Sequence, residues 1–193
     1  MKKRFLVASA SPRRKELLQN AGYDFEIIPS DADETLESGT SAAEAVEILS
    51  RRKAEAVYEN NKNCVVLGCD TVVTLDGVIF GKPKDKDEAF KMLESLSGRI
   101  HTVYTGVCVT DGERTRSFVS KTEVEFYELS AETIRSYIET LEPMDKAGAY
   151  GIQGYGSVLV KGIRGDYFAV MGLPVNESAR ILSDFGIKGK INL

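Results

Sequence analysis

The chain has 193 residues, 42% of them hydrophobic and 28% charged, with a formal net charge of -4. That is enough to bury a real core, as one compact domain or two small lobes, and the acidic balance argues against general affinity for nucleic acid, so any anion site must be local. No apolar run approaches the roughly 20 residues that span a bilayer, and the stretch before the first turn is too short for a signal peptide, so no membrane association and a cytoplasmic location are expected.

From the N-terminus, Phe5–Ser9 reads as a strand and Pro12–Asn20 as a helix, with Ser11 at its cap and Gly22 just past its end. "FEIIPSDADETLESG" reads as a short strand followed by an acidic loop. "SAAEAVEILSRRKAEAVYENN" is a long helix opened by a Ser41/Glu44 capping box. The apolar run "CVVLGCD" predicts a buried strand that continues into a hairpin turning at Asp76 and Gly77. Lys86–Ser97 is a helix, and a second hairpin turns at Asp111 and Gly112. Ser130–Leu141 is a helix stopped near Pro143. A glycine-rich stretch, Gly148–Gly156, precedes expected strands near Ser157–Lys161 and Tyr167–Met171, and Pro174–Phe185 closes the chain as a helix. Alternating elements interrupted by two hairpins predict an α/β fold with a mixed sheet flanked by helices. No GxGxxG follows a strand and no GxxxxGK[ST] occurs, so dinucleotide and P-loop readings are weak.

His101 is the single histidine, so a histidine-rich metal centre is excluded and any chemistry falls to carboxylates, lysines, arginines and a hard cation. Cys64, Cys69 and Cys108 have no CxxC spacing and read as buried thiols of a reducing compartment.

Several residues break local rules. Arg13, Arg14 and Lys15 occupy the first turn of a helix, its positive end, where acidic residues are favoured. They are either solvated charges or, with the hydroxyls of Ser9 and Ser11 and the open N–H groups of the helix, a phosphate cradle; the position favours the cradle. Lys53 falls near the centre of the apolar stripe formed by Ala42, Ala45, Val46, Leu49, Ala56 and Val57. It either snorkels along its own stem or serves a buried anion. Asp70 ends an apolar strand, where it either caps a turn or takes part in a site. "DADE" is either a solvated turn or, through Glu34 with Asp70, a set of oxygen ligands for Mg²⁺ or Mn²⁺. Lys82, alone, reads more readily as surface than as site. Together these parts suit metal-assisted cleavage of a polyphosphate.

The same residues resemble the Maf family of nucleotide pyrophosphatases over essentially the whole chain. The motifs are "SASPRR" (9–14), "DADE" (31–34), "RRKA" (51–54), "GCDTVV" (68–73), "GKP" (81–83), "HTVYTGV" (101–107), "DKAGAYGIQG" (145–154) and "VMGLP" (170–174), with no departure at the motif positions. The resemblance implies one domain over residues 1–193, with an elongated mixed sheet flanked by helices and two lobes sharing a central cleft, related to the inosine triphosphate pyrophosphatases. It implies hydrolysis of a nucleoside triphosphate to monophosphate and pyrophosphate, with Mg²⁺, Mn²⁺ or Co²⁺ as cofactor, and a homodimer. Asp70 matches the family's proton acceptor. Arg13, Arg14, Lys53 and Lys82 match its phosphate binders, and Glu34 matches a residue that helps hold the metal. Arg13, Thr71 and Gln153 together resemble the pyrimidine branch, which cleaves dTTP and UTP, rather than the branch linked to 7-methyl-GTP. A glutamine amide offers both a donor and an acceptor, which suits the O4 and N3–H edge of uracil or thymine.

Modified pyrimidine nucleotides such as 5-methyl-UTP and pseudo-UTP are alternative substrates, consistent with a house-cleaning role. The family's association with inhibition of septum formation leaves open a link to cell division, or a nucleotide-sensing module acting through a partner.

Overall fold

The computed structural model describes residues 3–191. In chain order the elements are β1 (Arg4–Ala8), α1 (Pro12–Asn20), β2 (Glu26–Ile27), α2 (Ala42–Asn60), β3 (Cys64–Leu75), β4 (Val78–Phe80), α3 (Lys86–Leu96), β5 (Ile100–Thr110), β6 (Thr115–Phe126), α4 (Ala131–Glu139), β7 (Val160–Arg164), α5 (Tyr167–Met171) and α6 (Val175–Asp184). Short 3-10 turns occupy Glu142–Asp145, Ala147–Ala149 and Gly154–Leu159. Among the described residues, seven strands form a mixed sheet in the order β2-β1-β3-β5-β6-β7, with β4 paired to β3.

The chain divides into two compact units. Of the described residues, the first takes 3–70, Thr105–Ser120 and 172–191; the second takes Thr71–Tyr104 and Lys121–Met171. In the first unit β1 runs parallel to both β2 and β3, with Leu6 opposite Val66 and Val7 opposite Leu67. Buried parallel strands carry continuous apolar runs rather than alternating ones, and Phe5–Ala8 and Val65–Leu67 are buried without interruption.

Helix α2 begins as the sequence predicts. The Ser41 hydroxyl accepts the Glu44 N–H at 3.3 Å, and the Glu44 carboxylate accepts the Ser41 N–H at 3.0 Å. Its seat is set by two glycines. A methyl group at Gly68 would collide with the Ser50 carbonyl and lie 2.6 Å from the Ala54 nitrogen, and one at Gly106 would strike the Val46 carbonyl. Val46, Ser50 and Ala54 follow one another at four-residue spacing, so one face of α2 rests directly on the backbone of β3 and β5. The seat brings Lys53, one residue before Ala54, alongside Asp70, two residues after Gly68.

The second unit packs α3 and α4 over a core that includes Val73, Leu75, Leu93, Leu96, Phe126, Ile134 and Tyr150. There β3 pairs antiparallel with β4, and β6 with β7.

Two expectations need correction, both in this unit. Tyr167–Met171 is a helix, not a strand. A five-residue apolar run satisfies either periodicity, and the decision falls to Asp166, whose carboxylate accepts the N–H of Phe168 at 2.8 Å and of Ala169 at 3.4 Å. An aspartate in that place starts a helix. The strand expected at Ser157–Lys161 begins only at Val160. The residues before it are drawn into a 3-10 turn, in which the Ser157 hydroxyl donates to the Gly154 carbonyl at 2.7 Å.

Candidate active site

Seven of the sequence candidates lie in the first unit: Ser9, Ser11, Arg13, Arg14, Glu34, Lys53 and Asp70. Strand β1 delivers Ser9, which is buried. Its hydroxyl accepts the Ser11 N–H at 3.2 Å and an Arg14 Nη1 hydrogen at 3.1 Å. Arg14 also donates through Nε to the Gly172 carbonyl at 2.8 Å. The same carbonyl accepts the Cys69 thiol at 3.0 Å, and burial pushes that thiol up to about 11, so it remains a donor. Ser11 stands at the N-cap of α1, but its hydroxyl makes no capping hydrogen bond, and no acidic residue lies in the first turn. The positive end of the helix dipole is therefore met by neither a Ser11 cap nor an acidic side chain, and Arg13 and Arg14 stand in that turn.

The acidic loop and α2 meet at Lys53. Its ammonium lies 2.8 Å from Glu34 Oε1 and 2.5 Å from Asp70 Oδ1. The Lys53 and Asp70 side chains are each only 14% exposed, whereas Glu34 is 63% exposed. Burial by itself would lower the lysine pKa, but Asp70 and Glu34 outweigh it and hold Lys53 above the ordinary lysine value. Lys53 is thus a charged ammonium aimed at two carboxylates.

The two carboxylates lie no farther apart than their contacts to one nitrogen laid end to end. No group of three or more His, Cys, Asp or Glu residues suited to a metal occurs among the described residues. Two hard oxygen donors without a full protein cage are what Mg²⁺ ordinarily uses, the remaining positions going to water and substrate phosphates. Glu34 and Asp70 are of the donor type such an ion takes, and in this structure both carboxylates face the Lys53 ammonium.

Thr71, Lys82 and Gln153 lie in the second unit. Thr71 follows Asp70 on β3 and is half-buried, Lys82 is exposed in the segment after β4, and Gln153 is half-buried just before the Gly154–Leu159 turn. Lys146 donates to the Glu142 carbonyl at 2.5 Å and to Asp145 at 2.7 Å.

Sequence reasoning missed Arg52. Its Nη1 donates to the carbonyls of Asp33 at 3.0 Å and Thr35 at 2.7 Å, the two residues flanking Glu34. Arg52 thus fixes the backbone of the acidic loop while its neighbour Lys53 holds the carboxylate. The pairing of the "DADE" and "RRKA" motifs was the only available signal, and it does not say which arginine reaches back.

The family model described as "Maf-like protein" matches residues 4–185. The chain belongs to the Maf-like protein family. It is 49% identical over 185 residues to a protein of Bacillus cereus (strain G9842) named "dTTP/UTP pyrophosphatase", covering 96% of this chain and 97% of that one. A Bacillus cytotoxicus protein of the same name is 50% identical over 183 residues, covering 95% and 96%. Among solved structures, the Ham1 protein of Staphylococcus aureus superposes with a TM-score of 0.47 at 18% identity, over 64% of this Maf-like chain and 72% of that one.

Proposed function

We propose that this chain hydrolyses dTTP and UTP to the nucleoside monophosphate and pyrophosphate. The observation that carries the reading is the Lys53 ammonium shared by Glu34 and Asp70. It is a compact cluster of opposite charges in a chain about half identical, over 95–96% of its length, to proteins named for that activity.

In the reaction, a water oxygen forms a bond to the α-phosphorus while the bond from phosphorus to the α–β bridging oxygen breaks, and pyrophosphate leaves. Asp70 takes the water proton. Arg13, Arg14, Lys53 and Lys82 offset the charge that grows on the leaving pyrophosphate, and the hydroxyls of Ser9 and Ser11 supply further donors. Glu34 and Asp70 would hold a divalent ion, Mg²⁺, Mn²⁺ or Co²⁺. Such an ion lowers the repulsion between a polyphosphate and an incoming nucleophile. Arg13, Thr71 and Gln153 are the residues that mark the pyrimidine preference, and 5-methyl-UTP and pseudo-UTP, which keep the O4 and N3–H edge, are further substrates.

The test is product analysis after incubating the protein with Mg²⁺ or Mn²⁺ and a panel of nucleoside triphosphates. Monophosphate and pyrophosphate from dTTP and UTP, with little from ATP or GTP, are expected. Binding of UTP without turnover would instead identify a nucleotide-sensing module.

A further inference from the structure

The segment that carries Gln153 is held by one phenol and one carboxylate. Tyr137, on α4, donates its hydroxyl to Glu142 Oε1 at 2.9 Å and accepts the Gly151 N–H at 3.0 Å. Glu142 Oε1 also accepts the Gly156 N–H at 3.0 Å, and Oε2 accepts the Tyr155 N–H at 2.9 Å. The chain is therefore tied at residue 151 on one side of Gln153 and at 155 and 156 on the other.

Burial opposes the charge on Glu142, but the amides of Gly156 and Tyr155, the Tyr137 hydroxyl and Lys146 outweigh it and hold its pKa below the ordinary value. Tyr137 is itself buried. A carboxylate satisfied by backbone amides in this way fixes the path of the loop rather than a single side chain.

We propose that Tyr137 and Glu142 are positioning residues for base selection: they set the loop from Gly151 to Gly156 so that the Gln153 amide meets the uracil or thymine edge. The inference rests on the reading of Gln153 as the base-contacting residue. Neither side chain is asked to touch the nucleotide. A glutamine has two geometric demands at the base, direction and depth, and both are lost if either anchor slackens.

The measurement is the ratio of kcat/KM for UTP to that for ATP in Gln153→Ala, Tyr137→Phe, Glu142→Gln and the double variants with Gln153→Ala. In Glu142→Gln, the new amide NH₂ must face an N–H or O–H donor, so one tether becomes repulsive. Tyr137→Phe removes a single oxygen and keeps the packing. We expect each single variant to lower the ratio about tenfold, the scale of one lost buried partner, chiefly through KM for UTP. The pairs with Gln153→Ala should be no worse than Gln153→Ala alone. Amide exchange at Gly151 should quicken in Tyr137→Phe, and at Tyr155 and Gly156 in Glu142→Gln, a readout independent of turnover.

If Gln153→Ala lowers the ratio while folded Tyr137→Phe and Glu142→Gln keep it, the positioning role is wrong and the base-reading role stands. If Gln153→Ala leaves the ratio unchanged, the base-reading role falls and takes this inference with it. Should Glu142→Gln fail to fold, Tyr137→Phe alone gives the decision.

Discussion

Each unit of this protein holds a carboxylate in a tight set of contacts, and the two sets are balanced in opposite ways. In the first unit, Asp70 and Glu34 share the ammonium of Lys53, three side chains on separate elements with one carboxylate largely exposed. In the second, Glu142 is surrounded by backbone amides and a phenol. Side-chain charges can exchange one partner for another, so the first arrangement is open to a ligand that brings its own charge. Backbone amides have nowhere else to go once the loop is folded, so the second arrangement defines shape. The comparison separates a region built to trade partners from a region built to keep them.

The largest expected effect tests the trading side. Asp70→Asn should lower turnover of UTP by about 10² to 10⁴-fold, the range attributed to a positioned general base. The chain should still fold, but with a lower thermal midpoint, because the largely buried Lys53 ammonium loses a partner. Full turnover in a folded Asp70→Asn protein, measured by pyrophosphate release, would remove Asp70 from the proton-acceptor role.

The next tests the keeping side through acid. His101 is 1% exposed, packs edge-on against Phe126 and Tyr150, and has Nε2 2.8 Å from the Tyr150 hydroxyl. Burial lowers its pKa from 6.5 to about 4. Between those values the unfolded chain binds the proton and the folded chain does not, so this stabilising contribution is present above pH 6.5 and is lost as pH falls toward 4. The loss is about 3 kcal/mol at its full extent. Denaturant titrations at pH 7 and pH 4.5 should show it, and His101→Gln should flatten that slope. An unchanged slope in the variant would assign the acid sensitivity to other groups.

Smaller again is the effect of moving α2. Gly68→Ala forces a methyl into the helix backbone, and overpacking of this kind costs about 1–3 kcal/mol. Because the same seat aligns Lys53 with Asp70, KM for UTP should rise together with the loss of stability. The smallest effect is expected from Arg52→Ala. Its contacts are exposed, so stability should change by less than about 1 kcal/mol, while the Mg²⁺ concentration needed for half-maximal rate should rise as Glu34 loses its fixed loop. An unaltered Mg²⁺ dependence would show that Lys53 alone suffices to place Glu34.

How much of this could be read in advance depends on range. The capping box of Ser41 and Glu44 is local chemistry, and it appears as the sequence states it. So do the two hairpins and the position of Lys53 within an apolar stripe, because periodicity constrains each. Residues 167–171 misled because five apolar residues satisfy a strand and a buried helix equally; only the preceding aspartate distinguishes them. The role of Ser11 was half legible: its place at the cap is local, but whether its hydroxyl caps depends on what else faces it. Contacts such as Arg52 to the carbonyls of 33 and 35, or Glu142 to the amides of 155 and 156, involve backbone atoms, which have no residue-type signature. Nothing in the letters of the sequence marks a carbonyl as an acceptor.

The brace from Arg14 to the carbonyl of Gly172 spans 158 positions of chain. During synthesis Arg14 is added 158 positions before the residue that supplies its acceptor. At about 5–20 residues per second, the arginine waits on the order of ten seconds or more for that partner. The nine residues of α1 are too few to hold a stable helix on their own, so that element too waits for the packing that buries Leu17 and Leu18. The guanidinium therefore receives its final orientation late, and an unfinished chain carries the cations of residues 13–15 before they are aimed.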